Sequence, residues 1–143
     1  MFNKRRFATV AGFASVALLA LAPNAHANWH STLDTVGVGF ESRRWEDESF
    51  SEVEFQLCKT NWKSESTHVK LWYVRDYQPD VGFDDKRFTD CFGWDDYDYS
   101  SVGQWHDLPH RNYYFSIAAI DDSGGTSLRM SADTVIVDTT AAD

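Results

Sequence analysis

The chain has 143 residues, of which 15% are aromatic with 6 Trp, a formal net charge of −9 and a mean hydropathy of −0.45. This mix excludes a disordered tail, a collagen-like repeat and, beyond the first residues, a membrane span. The length predicts one domain, long enough for a single core and too short for two.

The N-terminal segment predicts export. Lys4, Arg5 and Arg6 form a basic start, Phe7 to Leu21 is apolar or small, and Pro23 breaks the run. Ala25-His26-Ala27 then has the small-x-small pattern of a signal-peptidase site. Residues 1–27 are therefore expected to be a signal peptide, and residues 28–143 a single secreted domain. The general secretory route fits better than the twin-arginine route hinted at by Arg5-Arg6-Phe7. Asn28 rather than a lipid-carrying cysteine stands directly after the cleavage site and no apolar stretch closes the C-terminus, so release rather than anchorage is expected. Losing Lys4, Arg5 and Arg6 takes the 13 basic residues to 10 against 22 acidic ones, a net charge of −12. Such a surface repels phosphate backbones and anionic lipid, so neither nucleic-acid binding nor membrane insertion is expected.

Downstream, the hydrophobic period is two almost throughout. Asn28-Trp29-His30 stands ahead of any predicted strand. Val36, Val38 and Phe40 alternate with small or polar residues, and Arg43-Arg44-Trp45-Glu46-Asp47-Glu48 reads as an exposed charged loop. Val53, Phe55 and Leu57 alternate next, then Val69, Leu71 and Tyr73. The stretch from Tyr77 to Ser101, with Pro79, Gly82, Gly93 and many Asp, reads as loop with one or two short strands around Lys86 to Phe92. Tyr113, Phe115, Ile117 and Ala119 follow, then Leu128 and Met130, and the β-branched run Val135-Ile136-Val137. Side chains alternate across a strand, so each run has one buried face. Short strands between polar, Gly-containing loops predict an all-β fold, an antiparallel β-sandwich. Asp121-Asp122-Ser123-Gly124-Gly125 between two strong strands predicts a hairpin turn with Gly supplying positive φ.

The cysteines are Cys58 and Cys91. Two cysteines without a C-x-x-C spacing, in an exported chain, predict one structural disulfide. Its loop would contribute about 4 kcal/mol on the chain-entropy model and would tie the irregular segment to the strand ending at Cys58.

Leu108-Pro109, then Tyr113-x-Phe115-x-Ile117-x-Ala119, then Gly124-Gly125-x-Ser127 resembles the last two strands of fibronectin type III and related immunoglobulin-like domains. The resemblance covers about a quarter of the mature chain. It implies an immunoglobulin-like architecture in which Tyr113 hydrogen-bonds back across the corner of the penultimate strand. The chain departs from that pattern in two respects. No core Trp is evident on an early strand, and the cysteine pair falls on other strands than the antibody-type bridge.

Candidate chemistry is sparse. Asp96, Asp98, Ser100 and Asp107 superficially follow a calcium-loop spacing, but Ser101 stands where the turn needs Gly, and Asp replaces the longer bidentate Glu. Asp95, Asp96 and Asp98, like Asp84-Asp85 and Asp121-Asp122, are therefore expected to be solvated acids, and no metal or cofactor is expected. His106, Asp107 and His110 lie near Ser100 and Ser101, yet no nucleophile elbow or Gly-rich oxyanion loop accompanies them. His106 and His110 flank a Pro-containing turn, so their spacing lacks a zinc geometry. His30 and His68 are isolated. No catalytic residue is assigned, and the chain is not expected to be an enzyme.

The aromatics carry most of the signal. Trp72 stands on the polar side of its strand, Trp94, Tyr97 and Tyr99 sit in the acidic segment, and Trp29 is beside the new N-terminus. Exposed Trp and Tyr offer large apolar area at low entropic cost, and neighbouring acids add orientation. These five residues are the candidate partner-binding set, and Asn28-Trp29-His30 a candidate docking arm. The expected function is a secreted, non-catalytic protein-binding module: an adapter or subunit of a larger extracellular assembly, or an inhibitor of a secreted enzyme. An anionic domain would seek a partner with a basic surface. In format the chain is similar to the small adapter subunits of the secreted toxin particles of filamentous actinomycetes. The alternative is a carbohydrate-binding module, with Trp and Tyr stacking on a glycan. A small hydrolase is the further alternative.

Overall fold

Period-two patterning becomes strand along most of the described chain, which comprises residues 28–93, 99–125 and 127–140 of a computed structural model. The strands are β1 (Trp29–Val36), β2 (Trp45–Thr60), β3 (Thr67–Tyr73), β4 (Val81–Phe88), β5 (Ser100–Ile120) and β6 (Met130–Asp138). A 3-10 turn, Asp90–Phe92, lies between β4 and β5. Hydrogen bonding joins all six strands in one antiparallel sheet of order β1-β6-β2-β5-β3-β4. The all-β, antiparallel class read from the sequence is the class of the structure. No helix among the described residues is long and apolar enough to cross a membrane.

The sheet curls on itself. Trp29 on β1 lies three strands from Phe115 on β5, about 14 Å in a flat sheet, yet their rings stack at 6.4 Å. At the other edge, Trp105 Nε1 on β5 donates to the Asp84 carbonyl on β4 at 2.8 Å. Gly103 permits this closure, because a Cβ there would meet the Phe88 ring at 2.9 Å. The long strands β2 and β5 change register beside Ser49 and Asp107, which hold φ of 70° and 54°. Bulges of this kind bend a strand and increase its twist, turning the inner faces toward one another. Phe55, Phe88, Tyr113, Phe115 and Ile117 are fully buried there.

Several expectations need correction. β1 already begins at Trp29, and the 36–41 run is the end of β1 followed by a turn at Gly39, where φ is 90°. Val36, Val38 and Phe40 still pack on the core, because the segment returns along β5, with Ile117 N donating to the Phe40 carbonyl at 3.1 Å. Residues 43–48 are not an exposed loop. β2 starts at Trp45, only 3% exposed, and turns Trp45 and Asp47 inward while Glu46 and Glu48 face out. Buried Asp47 is satisfied by Glu48 N at 2.6 Å and by the Ser51 hydroxyl. Early-strand core tryptophans are therefore present, at Trp29 and Trp45.

Leu57 departs from the alternation for a backbone reason. At φ of 52° it points outward, 40% exposed, and Cys58 takes the inward position. Cys58 there bonds to Cys91 in the 3-10 turn, with Cα atoms 5.0 Å apart. The predicted disulfide is present and ties the 3-10 turn after β4 to β2. Part of the segment expected to be loop, residues 81–88, is regular strand.

The Asp121–Gly125 run is a tight turn but does not connect paired strands. β6 lies beside β2 and β1, not beside β5. Positive φ falls on Asp121 and Asp122, at 53° and 55°, rather than on the glycines. Asp and Asn tolerate this region better than other non-Gly residues. The backbones of Ile120 and Ser123 close the turn in both directions at 3.1 Å.

Candidate functional site

The described members of the predicted aromatic set do not gather on one patch. Trp29 is 7% exposed, its ring 6.0 Å from Trp45, and the Arg43 guanidinium lies 4.2 Å over it. The Trp29 indole is thus part of the core cluster rather than of an exposed arm. Its neighbour Asn28 instead clamps the end of β6, accepting from Thr139 N at 2.8 Å. Tyr99 is half-buried just before β5, and its carbonyl accepts from Leu57 N at 3.0 Å. Trp94 and Tyr97 lie outside the described residues.

Trp72 does occupy the outward face of β3, since Val69 and Leu71 on the other phase are fully buried. Its ring stacks on Tyr114 of β5, and its Nε1 donates to the Ser116 hydroxyl at 2.9 Å. Lys70 Nζ lies 4.5 Å over Trp72, and the Arg44 guanidinium 4.4 Å over Tyr114. Gly82, opposite Trp72 on β4, leaves the room that Lys70 and the indole occupy. Burial, then the hydrogen bond to Asp80, pushes the Tyr114 hydroxyl up to about 12. Both ends of this aromatic pair are thus covered by the chain's own cations.

Among the described tryptophans the exposed indole is that of Trp62, at 75%, on the loop between β2 and β3. That loop is braced. Asn61 N donates to the Arg129 carbonyl at 3.0 Å, and Arg129 N donates back to Asn61 Oδ1 at 2.8 Å. The Thr60 hydroxyl donates to the Trp62 carbonyl and accepts from Ser64 N at 3.3 Å. Beside Trp62 opens a shallow cleft of about 420 Å³, walled by Cys58, Thr60, Lys63, Glu65 and Phe92. Sequence reasoning missed this residue. The signal was Asn61-Trp62-Lys63-Ser64, a Trp embedded in turn-forming residues between two strands.

Adjoining it is a second cleft of about 540 Å³, which shares Glu65 and Phe92 and adds Ser66, Arg87, Thr89 and Asp121. Its rim carries an ordered ion network. Asp122, presented by the positive-φ turn, accepts from Arg87 Nε at 2.9 Å and from its Nη2 at 3.0 Å. Asp122 Oδ1 also meets His68 Nε2 at 2.7 Å, and His68 Nδ1 meets Asp85 Oδ2. Partial burial works against charge on His68, but the hydrogen bonds to Asp122 and Asp85 outweigh it and raise its pKa. The Arg87 fork first, then His68, holds the Asp122 carboxyl well below the usual carboxylate range. His68, read as isolated, is the centre of a four-residue cluster.

The other candidates do not converge. His110 Nε2 pairs with Glu46 at 2.6 Å on an exposed stretch of β5, and the His106 ring lies 5.0 Å from Phe50. Asp95, Asp96 and Asp98 lie outside the described residues. Ser100 and Asp107 share one extended strand, where seven steps span roughly 23 Å, so they cannot belong to one calcium loop. Among the described residues, no group of three or more His, Cys, Asp or Glu is placed to hold a metal.

Tyr113 donates its hydroxyl to the carbonyl of Pro109, four residues upstream within β5. Compared with models of known families, with curated proteins and with solved structures, the chain matches none.

Proposed function

We propose that the chain is a secreted, non-catalytic recognition domain that docks on another extracellular protein, as an adapter or subunit of a larger assembly or as an inhibitor of a secreted enzyme. The observation that carries this reading is Trp62, three-quarters exposed on a loop braced by Arg129, just before β6, and by Thr60. Leaving an indole in water forgoes up to about 3 kcal/mol of burial. Bracing the backbone that carries it prepays part of the ordering cost of binding, which is how a preorganised loop gains affinity. The cleft beside Trp62, lined by Cys58 and Phe92, gives a partner's apolar side chain a place next to the ring. The expected net charge of −12 directs the domain toward a basic partner surface. The histidines that meet carboxylates, His68 with Asp85 and Asp122 and His110 with Glu46, are engaged with them, which favours recognition over catalysis.

The test is capture of secreted proteins from the culture medium of the source organism by the tagged chain and by Trp62→Ala. A partner retained by the wild type should bind the variant about 30-fold more weakly, equivalent to about 2 kcal/mol for an anchor residue. Equal retention by both would refute the anchor. Incubation with insoluble chitin, cellulose and xylan forms the second arm. Depletion on one of them that Trp62→Ala abolishes would replace the protein partner with a glycan.

A further inference from the structure

We propose that His68 is a proton-operated clamp that regulates the Trp62 surface: with hydrogen on both ring nitrogens it ties β3, β4 and the 121–125 turn together, and loss of one proton loosens the walls of the adjoining cleft. The regulatory consequence rests on the recognition reading above; the clamp itself does not.

The argument starts from the donor count. A neutral imidazole has one N–H and one lone pair, whereas an imidazolium has two N–H groups. Both nitrogens of His68 face carboxylate oxygens, Nδ1 toward Asp85 and Nε2 toward Asp122 at 2.7 Å. An ionised carboxylate only accepts, so both contacts exist together only in the imidazolium form. After deprotonation one contact sets a lone pair against a carboxylate and must open. Asp122 is also held by the Arg87 fork.

The charged groups facing His68 come from each element packed against it. Strand β4 presents Asp85 and Arg87, the turn presents Asp122, with Asp121 acting on Arg87, and β3 itself presents Lys70, which lies opposite Asp85. β5 presents Ala119, which does not titrate. The partners form a row of alternating sign, Asp85, His68, Asp122 and Arg87, so removing the central cation leaves two carboxylates against one guanidinium. Carboxylates on both sides keep the proton on His68 above the ordinary imidazole range, so the clamp is closed in mild acid and opens as pH rises. The walls it steadies are those of the cleft: Arg87 lies on the clamp, and Asp121 N donates to the Ser66 carbonyl at 2.9 Å.

The test is an NMR titration of the unliganded secreted chain from about pH 5 to about pH 9, following the histidine ring nitrogens and the backbone amides. His68 should titrate above a free imidazole, and the amides of Ser66, Arg87, Asp121 and Asp122 should report the same midpoint. Asp85→Asn should lower that midpoint, and in His68→Gln the wall amides should lose it. A His68 midpoint at or below that of free imidazole would overturn the clamp, as would one indifferent to Asp85→Asn or wall amides that stay silent. The wild-type titration decides even if a variant fails to fold. If the recognition reading also holds, capture should weaken above the midpoint for the wild type and not for His68→Gln; pH-independent capture would overturn the regulation. Failure of Trp62→Ala to weaken capture removes the recognition reading and leaves the titration result standing.

Discussion

Trp72 and Tyr114 sit directly across β3 and β5, their rings 8° from parallel and 6.3 Å apart. With Lys70 over one ring and Arg44 over the other, they form a row of cation, two aromatics and cation along the outward face. Parallel offset rings contribute about 0.5–1.5 kcal/mol beyond their buried area. A double-mutant cycle with Trp72→Leu and Tyr114→Leu, read by urea unfolding, should return a coupling in that range. Additive losses would show that the rings are neighbours without interaction.

Phe115 is the hub of the inner face. Its ring lies 5.4 Å from Phe55, 6.4 Å from Trp29 and Phe40, and 6.5 Å from Trp45. Phe115→Ala should therefore lose about 3–5 kcal/mol, a large share of the total stability of a domain this size. Chemical denaturation checks the loss. A loss below about 1 kcal/mol would mean that these rings do not depend on one another.

The Cys58–Cys91 bridge holds the 3-10 turn against β2. Replacing both cysteines with Ser should cost about 2–4 kcal/mol, visible as a lower denaturation midpoint. The adjacent Leu57 allows the opposite change. It is exposed at a positive φ that penalises any side chain by about 1 kcal/mol, so Leu57→Gly should be neutral or slightly stabilising. A clear loss of stability would show that the Leu57 side chain contributes more than its backbone strain costs.

Stability should have an optimum in pH set by the His68 row. Asp85 and Asp122 have lowered pKa values in the fold, so their contribution is complete above the ordinary carboxylate range and lost as pH falls through the folded values. His68 has a raised value, so its contribution is complete below the ordinary imidazole pKa and lost as pH rises through the folded one. The melting temperature should peak between those limits. Asp122→Asn should flatten the acid limb. Both effects should shrink in high salt, since Asp122 and Arg87 are solvent-exposed. An acid limb unchanged in the variant would remove Asp122 as its origin.

Period-two alternation was enough to identify the inward faces at Val53 and Phe55, Val69 and Leu71, Phe115 and Ile117, and Val135 and Val137, all fully buried. Alternation is a local property of the extended backbone, so sequence order alone specifies it. The same logic failed at Leu57, where a positive φ transferred the inward position to Cys58, and no side-chain pattern announces a bulge. It also failed for Trp. Trp29 and Trp45 stand among charged or polar neighbours and are buried, whereas Trp62 stands among similar neighbours and is not.

Chemistry and composition along the chain determined the all-β class, the cysteine pairing and the inward faces of the strands, because each depends on residues near in sequence or on elimination among few candidates. Only the curled sheet decided that Trp62 meets water while Trp29 and Trp45 do not, that β6 lies beside β2, and that His68 stands between Asp85 and Asp122, 17 and 54 residues away. Those relations arise from strand order and bend, which bring distant segments together, and no local period encodes such distances.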